Sequence, residues 1–278
     1  MRFGGGGRSS NLEDRRGFGG RAGVGIGGTA VLLILSLLFG RNLFNDVGVS
    51  PSAVSASNGG LSPADSAAEE PEVQVVSGVL DDVQQTWATL LPKYGTQYTD
   101  AKLVLFRDYT PTGCGTGQTA MGPFYCPVDQ KVYLDLGFFD ELRNKFGAAG
   151  DFAQGYVIAH ELGHHVQKLL GTEAQVHRAE QNDPQNANEY SVRLELQADC
   201  YAGVWGHSAQ QRGKLDPGDM QEGLNAAASV GDDRILSQAG RSVNAESFTH
   251  GSSAQRESWF KRGFDSGDPQ QCDTFAGR

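Results

Sequence analysis

The sequence predicts an α+β domain behind a single N-terminal membrane helix. Three observations carry this expectation. Residues 22–40, AGVGIGGTAVLLILSLLFG, carry no charge. Short runs rich in β-branched and aromatic residues cluster between residues 102 and 136, and segments with helical spacing dominate from residue 138 onward. Strands first and helices afterwards favour α+β over a doubly wound sheet. The formal net charge of −10 argues against a nucleic-acid binder, which would show a basic face.

Residues 1–21 carry Arg2, Arg8, Arg15, Arg16 and Arg21 against Glu13 and Asp14. As a helix, residues 22–40 span about 28 Å, close to the hydrocarbon thickness of a bilayer. Arginine on the N-terminal side places the N-terminus in the cytoplasm and the rest in the periplasm or outside the cell. A cleaved signal is the alternative, since Arg15-Arg16-Gly17-Phe18 faintly resembles a twin-arginine signal. The small-residue stretch Ser52–Ala56, however, lies farther from the apolar run than a cleavage site usually does. Residues 41–72, poor in large apolar side chains, read as a flexible linker, leaving 73–278 as the folded domain.

Within that domain, Val79, Val83, Trp87, Leu90 and Leu91 stand at helical spacing over 77–91, with Ser77 as N-cap and Pro92 beyond. KLVLF (102–106) reads as a strand, and GPFYC (122–126) with KVYLDL (131–136) reads as a hairpin. Helices are expected over 138–146, over 151–169 with Gly171 as its stop, and over 190–208, 222–230 and 254–264. Residues 172–188, polar and broken by Asp183-Pro184, are expected to form a loop or a short helix. Cys114, Cys126, Cys200 and Cys272 make an even count beyond the anchor, which suggests two disulfides with three possible connectivities. Cys114 with Cys126 is the easiest pair to close, and Cys200 with Cys272 would then tie the C-terminus to the core.

His160-Glu161-Leu162-Gly163-His164 matches H-E-x-x-H. On a helix, residues i and i+4 share a face, so two imidazoles can share one metal while the glutamate leans toward the metal's water. Chance predicts roughly 0.006 such matches in a chain of this composition. A catalytic zinc needs a third protein ligand. Glu195 and Asp199, again i and i+4, offer a ligand and an acceptor for a ligating histidine's other N–H. For the donor that stabilises an oxyanion, His250 in the polar turn FTHGSS is the candidate, with Tyr201 and Tyr190 behind it. His165 is turned about 140° from His160 and reads as a satisfied core histidine. His177 reads as exposed, His207 as a cap on its own helix, and Gly231-Asp232-Asp233-Arg234 as a helix-end network.

HELGHHVQ followed by E-x-x-A-D resembles the gluzincin pattern of zinc peptidases. More broadly the chain resembles the bacterial "putative neutral zinc metallopeptidase" family. NLEDRRG, GCGTGQTAMGPFYCPVDQKVYLDLGFF, SVRLELQADCYAGVW, GDDR and FTHGSSAQRESWFKRGF also carry that resemblance. It implies a zincin-like fold with a small antiparallel sheet, Zn2+ held by His160, His164 and Glu195, and Glu161 as general base acting on a peptide or protein substrate. It also implies an edge strand that holds extended substrate above the metal helix, for which Lys131–Leu136 is the candidate. Two alternatives keep the zinc: a hydrolase of cell-wall cross-links or other specialised amides, and a non-catalytic zinc-binding assembly protein.

Overall fold

The computed structural model describes residues 1–3, 6–17 and 63–276. In chain order it contains β1 (Leu12–Asp14), α1 (Pro63–Ala68), α2 (Glu70–Leu90), β2 (Lys102–Phe106), β3 (Tyr109–Thr112), β4 (Gly115–Gln118), β5 (Phe124–Cys126) and β6 (Lys131–Asp135). Then follow α3 (Gly137–Asn144), α4 (Asp151–Leu170), α5 (Thr172–Asn182), α6 (Ala187–Gln211), α7 (Asp219–Ser229), α8 (Asp232–Gln238) and α9 (Ser253–Ser266). The architecture is mixed α+β and mostly helical.

The main sheet has the order β1-β2-β6-β5. It is mixed, where a purely antiparallel sheet was expected: β1 runs parallel to β2 and β2 parallel to β6, while β5 and β6 form the expected antiparallel hairpin. β6 is therefore an interior strand, so Lys131–Leu136 offers no free edge for substrate; the edges of this sheet are β1 and β5. A second hairpin, β3–β4, forms over residues 109–118, where no strand was expected. Both disulfides form, Cys114–Cys126 and Cys200–Cys272.

α2 begins earlier than its capping residues suggested. Val73, Val76, Leu80, Val83 and Trp87 continue one fully buried stripe, so the apolar face, rather than Ser77, sets its start. Helices α1 and α2 thus occupy part of the stretch expected as linker. The stripe packs into one core with Phe152, Tyr156 and Leu162 of α4, Val204 and Trp205 of α6, and Phe260 of α9. α6 and α9 approach backbone to backbone. A Cβ on Gly263 would lie 1.9 Å from the Cys200 carbonyl oxygen, and one on Gly203 2.1 Å from that of Phe260, so neither position tolerates a side chain without moving a helix.

The N-terminal tail overturns the expected topology. Residues 1–17 are not a tail on the far side of a membrane; they are built into the domain. β1 pairs along β2, Phe3 is buried in the main core, and Arg16 is buried between Asp14 and Glu69, with its guanidinium 2.7 and 2.6 Å from their oxygens. Arg8 binds Asp14 and Glu70. Arg16 and Glu69, on either side of the residues not described, thus belong to one body, which does not fit a tail and a domain on opposite sides of a membrane. Among the described residues no helix is long and apolar enough to cross a membrane. The expected anchor, 22–40, lies outside the described residues, and the single-pass localisation with a cytoplasmic N-terminus is not supported.

Candidate metal centre

Helix α4 sets Tyr156, His160 and His164 four residues apart on one face. α6 meets α4 where Gly163 faces Ala198: a Cβ at Gly163 would come within 3.2 Å of the Ala198 Cα. That close approach brings Glu195 and Asp199, which flank Ala198, onto the histidine face. His160 Nε2 lies 3.2 Å from Glu195 Oε2, and His164 Nε2 lies 3.4 Å from Glu195 Oε1. Ligand atoms at zinc distances of about 2.0–2.1 Å around a tetrahedron are separated by about 3.3–3.4 Å. The donor set therefore fits zinc in chemistry and in its two His–Glu separations, and all three ligand atoms lie within 4.8 Å of one another.

The remaining ring nitrogens are fixed by acceptors. His160 Nδ1 is 2.9 Å from Asp199 Oδ1, and a carboxylate only accepts, so Nδ1 donates and Nε2 is the nitrogen that can give up its proton to a metal. His164 Nδ1 is 2.9 Å from Gln167 Oε1. The Gln167 amide is oriented by its nitrogen, which donates to the Leu194 carbonyl at 2.7 Å and to Gln197 Oε1 at 3.1 Å. Gln197 in turn donates to the Cys272 carbonyl. His164 thus presents Nε2 to Glu195 through a chain of amides that ends at the Cys200–Cys272 disulfide.

Asp199 is 0 % exposed. It accepts from Tyr156 Oη at 2.6 Å and from Arg256 through a two-point fork, Nε at 2.8 Å and the guanidinium nitrogen at 2.9 Å. Arg256, 3 % exposed, also donates to the Val230 carbonyl. Burial alone would push His160 down, but the charge and hydrogen bond of Asp199 outweigh it and hold the imidazole up to about 10. His164 is raised too: burial opposes, and Glu195 prevails. Burial would raise the carboxyls of Glu195 and Asp199, yet the neighbouring cations hold both down. The cluster is built for positive charge, supplied by protons or by a metal ion.

Glu161 lines the same cleft, as does His250. The turn that carries His250 is tied to Asp232 at the start of α8. Asp232 Oδ2 accepts the backbone N–H of Thr249, His250 and Gly251, and its Oδ1 lies 3.2 Å from His250 Nδ1. Burial works against the His250 charge, but the Asp232 bond raises its pKa overall. Tyr201 and Tyr190 do not line the cleft. His165 is buried, with Tyr125 Oη at 2.9 Å from Nδ1 and the Thr99 carbonyl at 2.7 Å from Nε2. His177 is exposed as expected, yet it reaches the cleft rim. His207 caps α9 rather than its own helix, through the Phe264 carbonyl. A second acidic group, Asp151, Asp219 and Glu222, already meets a cation in the Met1 amino group.

Tyr156, Gln167, Arg256 and Asp232 went unread in the sequence as parts of the site. Their signals were present: Tyr156 is four residues before His160, and Gln167 three after His164. Arg256 shares its helix face with the buried Phe260 and Phe264, an apolar face where an arginine needs a partner.

The family described as "Putative neutral zinc metallopeptidase" matches residues 1–275. The chain belongs to that family. It is 50% identical over 287 aligned residues to the uncharacterized protein YpfJ of Escherichia coli K12, covering 99% of each chain. It is also 46% identical over 207 residues to the uncharacterized protein Rv2575 of Mycobacterium tuberculosis H37Rv, covering 70% of this chain and 68% of that one. No solved structure matches the chain.

Proposed function

We propose that the protein is a zinc-dependent peptidase of zincin-like fold. In it His160, His164 and Glu195 hold the metal, and Glu161 is the general base. The observation that carries this reading is the convergence of two Nε2 atoms on one carboxylate at 3.2 and 3.4 Å, with both opposite nitrogens already committed to acceptors. Three protein ligands leave an open position, as catalytic zinc requires, whereas structural zinc is closed by four.

When bound, zinc would supply a Lewis acid that lowers the pKa of a water to about 7 and polarises the scissile carbonyl. Glu161 takes the proton of the attacking water and delivers it to the leaving amine. His250, its Nδ1 anchored by Asp232, offers its other nitrogen as a donor to the developing oxyanion. Asp199 and Gln167 hold the two histidines in the tautomer that faces Glu195, and Arg256 keeps Asp199 ionised.

The test is cleavage of an unmodified peptide library by the zinc-loaded chain, read by mass spectrometry beside Glu161→Gln carrying the same zinc. The wild type is expected to cut and the variant to be slower by about 10²–10⁴-fold. An intact, zinc-loaded wild type that cuts no peptide refutes the peptidase reading.

A further inference from the structure

The cleft over the metal centre, a cavity of about 430 Å³, includes the apolar side chains of Met121, Phe124, Phe138, Val157, Val230 and Ile235 in its lining. Two of these keep an unusual amount of surface in water: Met121 is 43 % exposed and Ile235 38 % exposed. They come from distant segments and converge on one cleft, whereas scattered apolar exposure would need no explanation. Neither sits on a loose end. The turn carrying Met121 is fixed by the Thr119 N–H on the Asp108 carbonyl and by the Thr119 hydroxyl on Asp135. α8, which carries Ile235, is tied by Arg234 to the Phe146 carbonyl beyond α3.

The polar rim is equally selective. Gln167 has its amide spent on His164, Leu194 and Gln197. Arg256 has its guanidinium spent on Asp199, Tyr156 and Val230. His177 is held between Glu173 and Glu180. Glu173, which also lines the cleft, meets His177 through Oε1 alone; its Oε2 is buried and accepts no hydrogen bond from the protein. A buried carboxylate oxygen without a donor is completed by a ligand's cationic nitrogen and repels a ligand's carboxylate.

We infer that this cleft selects extended peptides that lay a bulky apolar side chain against its apolar lining, Met121 and Ile235 included, and bring a positively charged nitrogen to Glu173. The inference rests on the peptidase reading for its substrate class, but it is a statement about binding. It sets the site apart from one made for small or acidic cross-link residues, which would leave the apolar lining wet and meet Glu173 with like charge.

Binding separates the two claims. The probes are fluorescently labelled peptides, capped at both ends, with a central Phe or Ala and with Lys or Glu scanned through the flanking positions. They are titrated into the zinc-loaded Glu161→Gln chain. Phe is expected to bind at least tenfold tighter than Ala, the scale expected for burying one large side chain. Met121→Asp and Ile235→Asp are expected to abolish that preference with zinc content unchanged. At one or more flanking positions Lys is expected to bind at least tenfold tighter than Glu, and Glu173→Gln to remove the difference. Equal binding of Phe and Ala overturns the inference. So does an apolar preference that survives both aspartate variants, or a Lys–Glu discrimination that is absent or unaffected by Glu173→Gln. Selective binding with no cleavage by the wild type sinks the peptidase reading alone; cleavage without selectivity sinks this inference alone.

Discussion

Replacing Arg256 with methionine tests the architecture of the metal centre away from the metal itself. Arg256 is 3 % exposed and Asp199 0 % exposed, and they meet through a two-point fork at 2.8 and 2.9 Å. With His160 neutral, as a metal ligand must be, the guanidinium is the cation that balances Asp199. Methionine preserves much of the volume and leaves a buried carboxylate uncompensated. Breaking such a pair from one side costs about 3–5 kcal/mol. At about 2–4 °C per kcal/mol for a chain of this size, the melting temperature should fall by roughly 6–20 °C. Asp199 should then gain a proton more readily and hold His160 less firmly, weakening zinc by about 10–100-fold. The assays are thermal unfolding of the zinc-loaded protein, the state in which His160 is neutral, and zinc competition against a chelator of known affinity. Arg256→Lys should recover part of the stability but not the fork. Asp199→Asn combined with Arg256→Met should cost less than the sum of the single changes. A loss below about 1 kcal/mol with unaltered zinc affinity would refute the reasoning, because Asp199 would then have another counter-charge.

The other predictions rest on separate parts of the structure. His250→Ala should lower kcat by about 10²–10³ if His250 donates to the oxyanion, with zinc affinity retained, as measured on any cleaved peptide. The donor form of His250 is the protonated one, and Asp232 raises its pKa, so activity should fall as pH rises through that pKa. Asp232→Asn should shift this alkaline limb to lower pH, which a pH–rate profile would show. Gly263→Ala places a Cβ 1.9 Å from the Cys200 carbonyl oxygen and should destabilise by about 1–3 kcal/mol or more, seen in denaturant unfolding. Hydrogen bonds from Arg16 hold the Asp14 carboxyl down at about 2, against 3.8 ordinarily, despite opposing burial. Its folded-state pKa is depressed, so its contribution is whole above pH 3.8 and lost as pH falls through about 2. Hydrogen exchange should show β1 opening over that acid range.

The sequence revealed the elements whose information is local. α4 ends at Gly171 as its pattern required, β2 occupies residues 102–106, and the β5–β6 hairpin follows its alternation. The HExxH face and the Glu195–Asp199 pair were legible for the same reason: helical spacing alone puts each pair together. What failed was non-local. The tail's arginines looked like a topogenic charge cluster because their partners Glu69 and Glu70 lie more than fifty residues away. β1, Leu-Glu-Asp, shows no apolar alternation; ion pairs such as Lys131–Glu13 help to hold it. Its parallel pairing to β2 has no sequence signature of its own. Arg256 and Gln167 carried only local hints, because the partners that give them roles sit on helices that meet only in the folded chain.

The way residues 1–17 are built in has a further consequence. In effect the protein captures residues 12–14 by strand addition along β2, and the Arg16–Glu69 contact makes the segments before and after residues 18–62 belong to one body. A peptide bond cut anywhere in residues 18–62 would turn a strand of the fold into a ligand. Its high effective concentration would be lost, and the stability of the remaining body would come to depend on how much of the released peptide is present. The same holds for any expressed piece that begins at residue 63, which keeps Glu69 and Glu70: it would be a receptor with an empty groove, and adding residues 1–17 back as a synthetic peptide should raise its melting temperature in a saturable way.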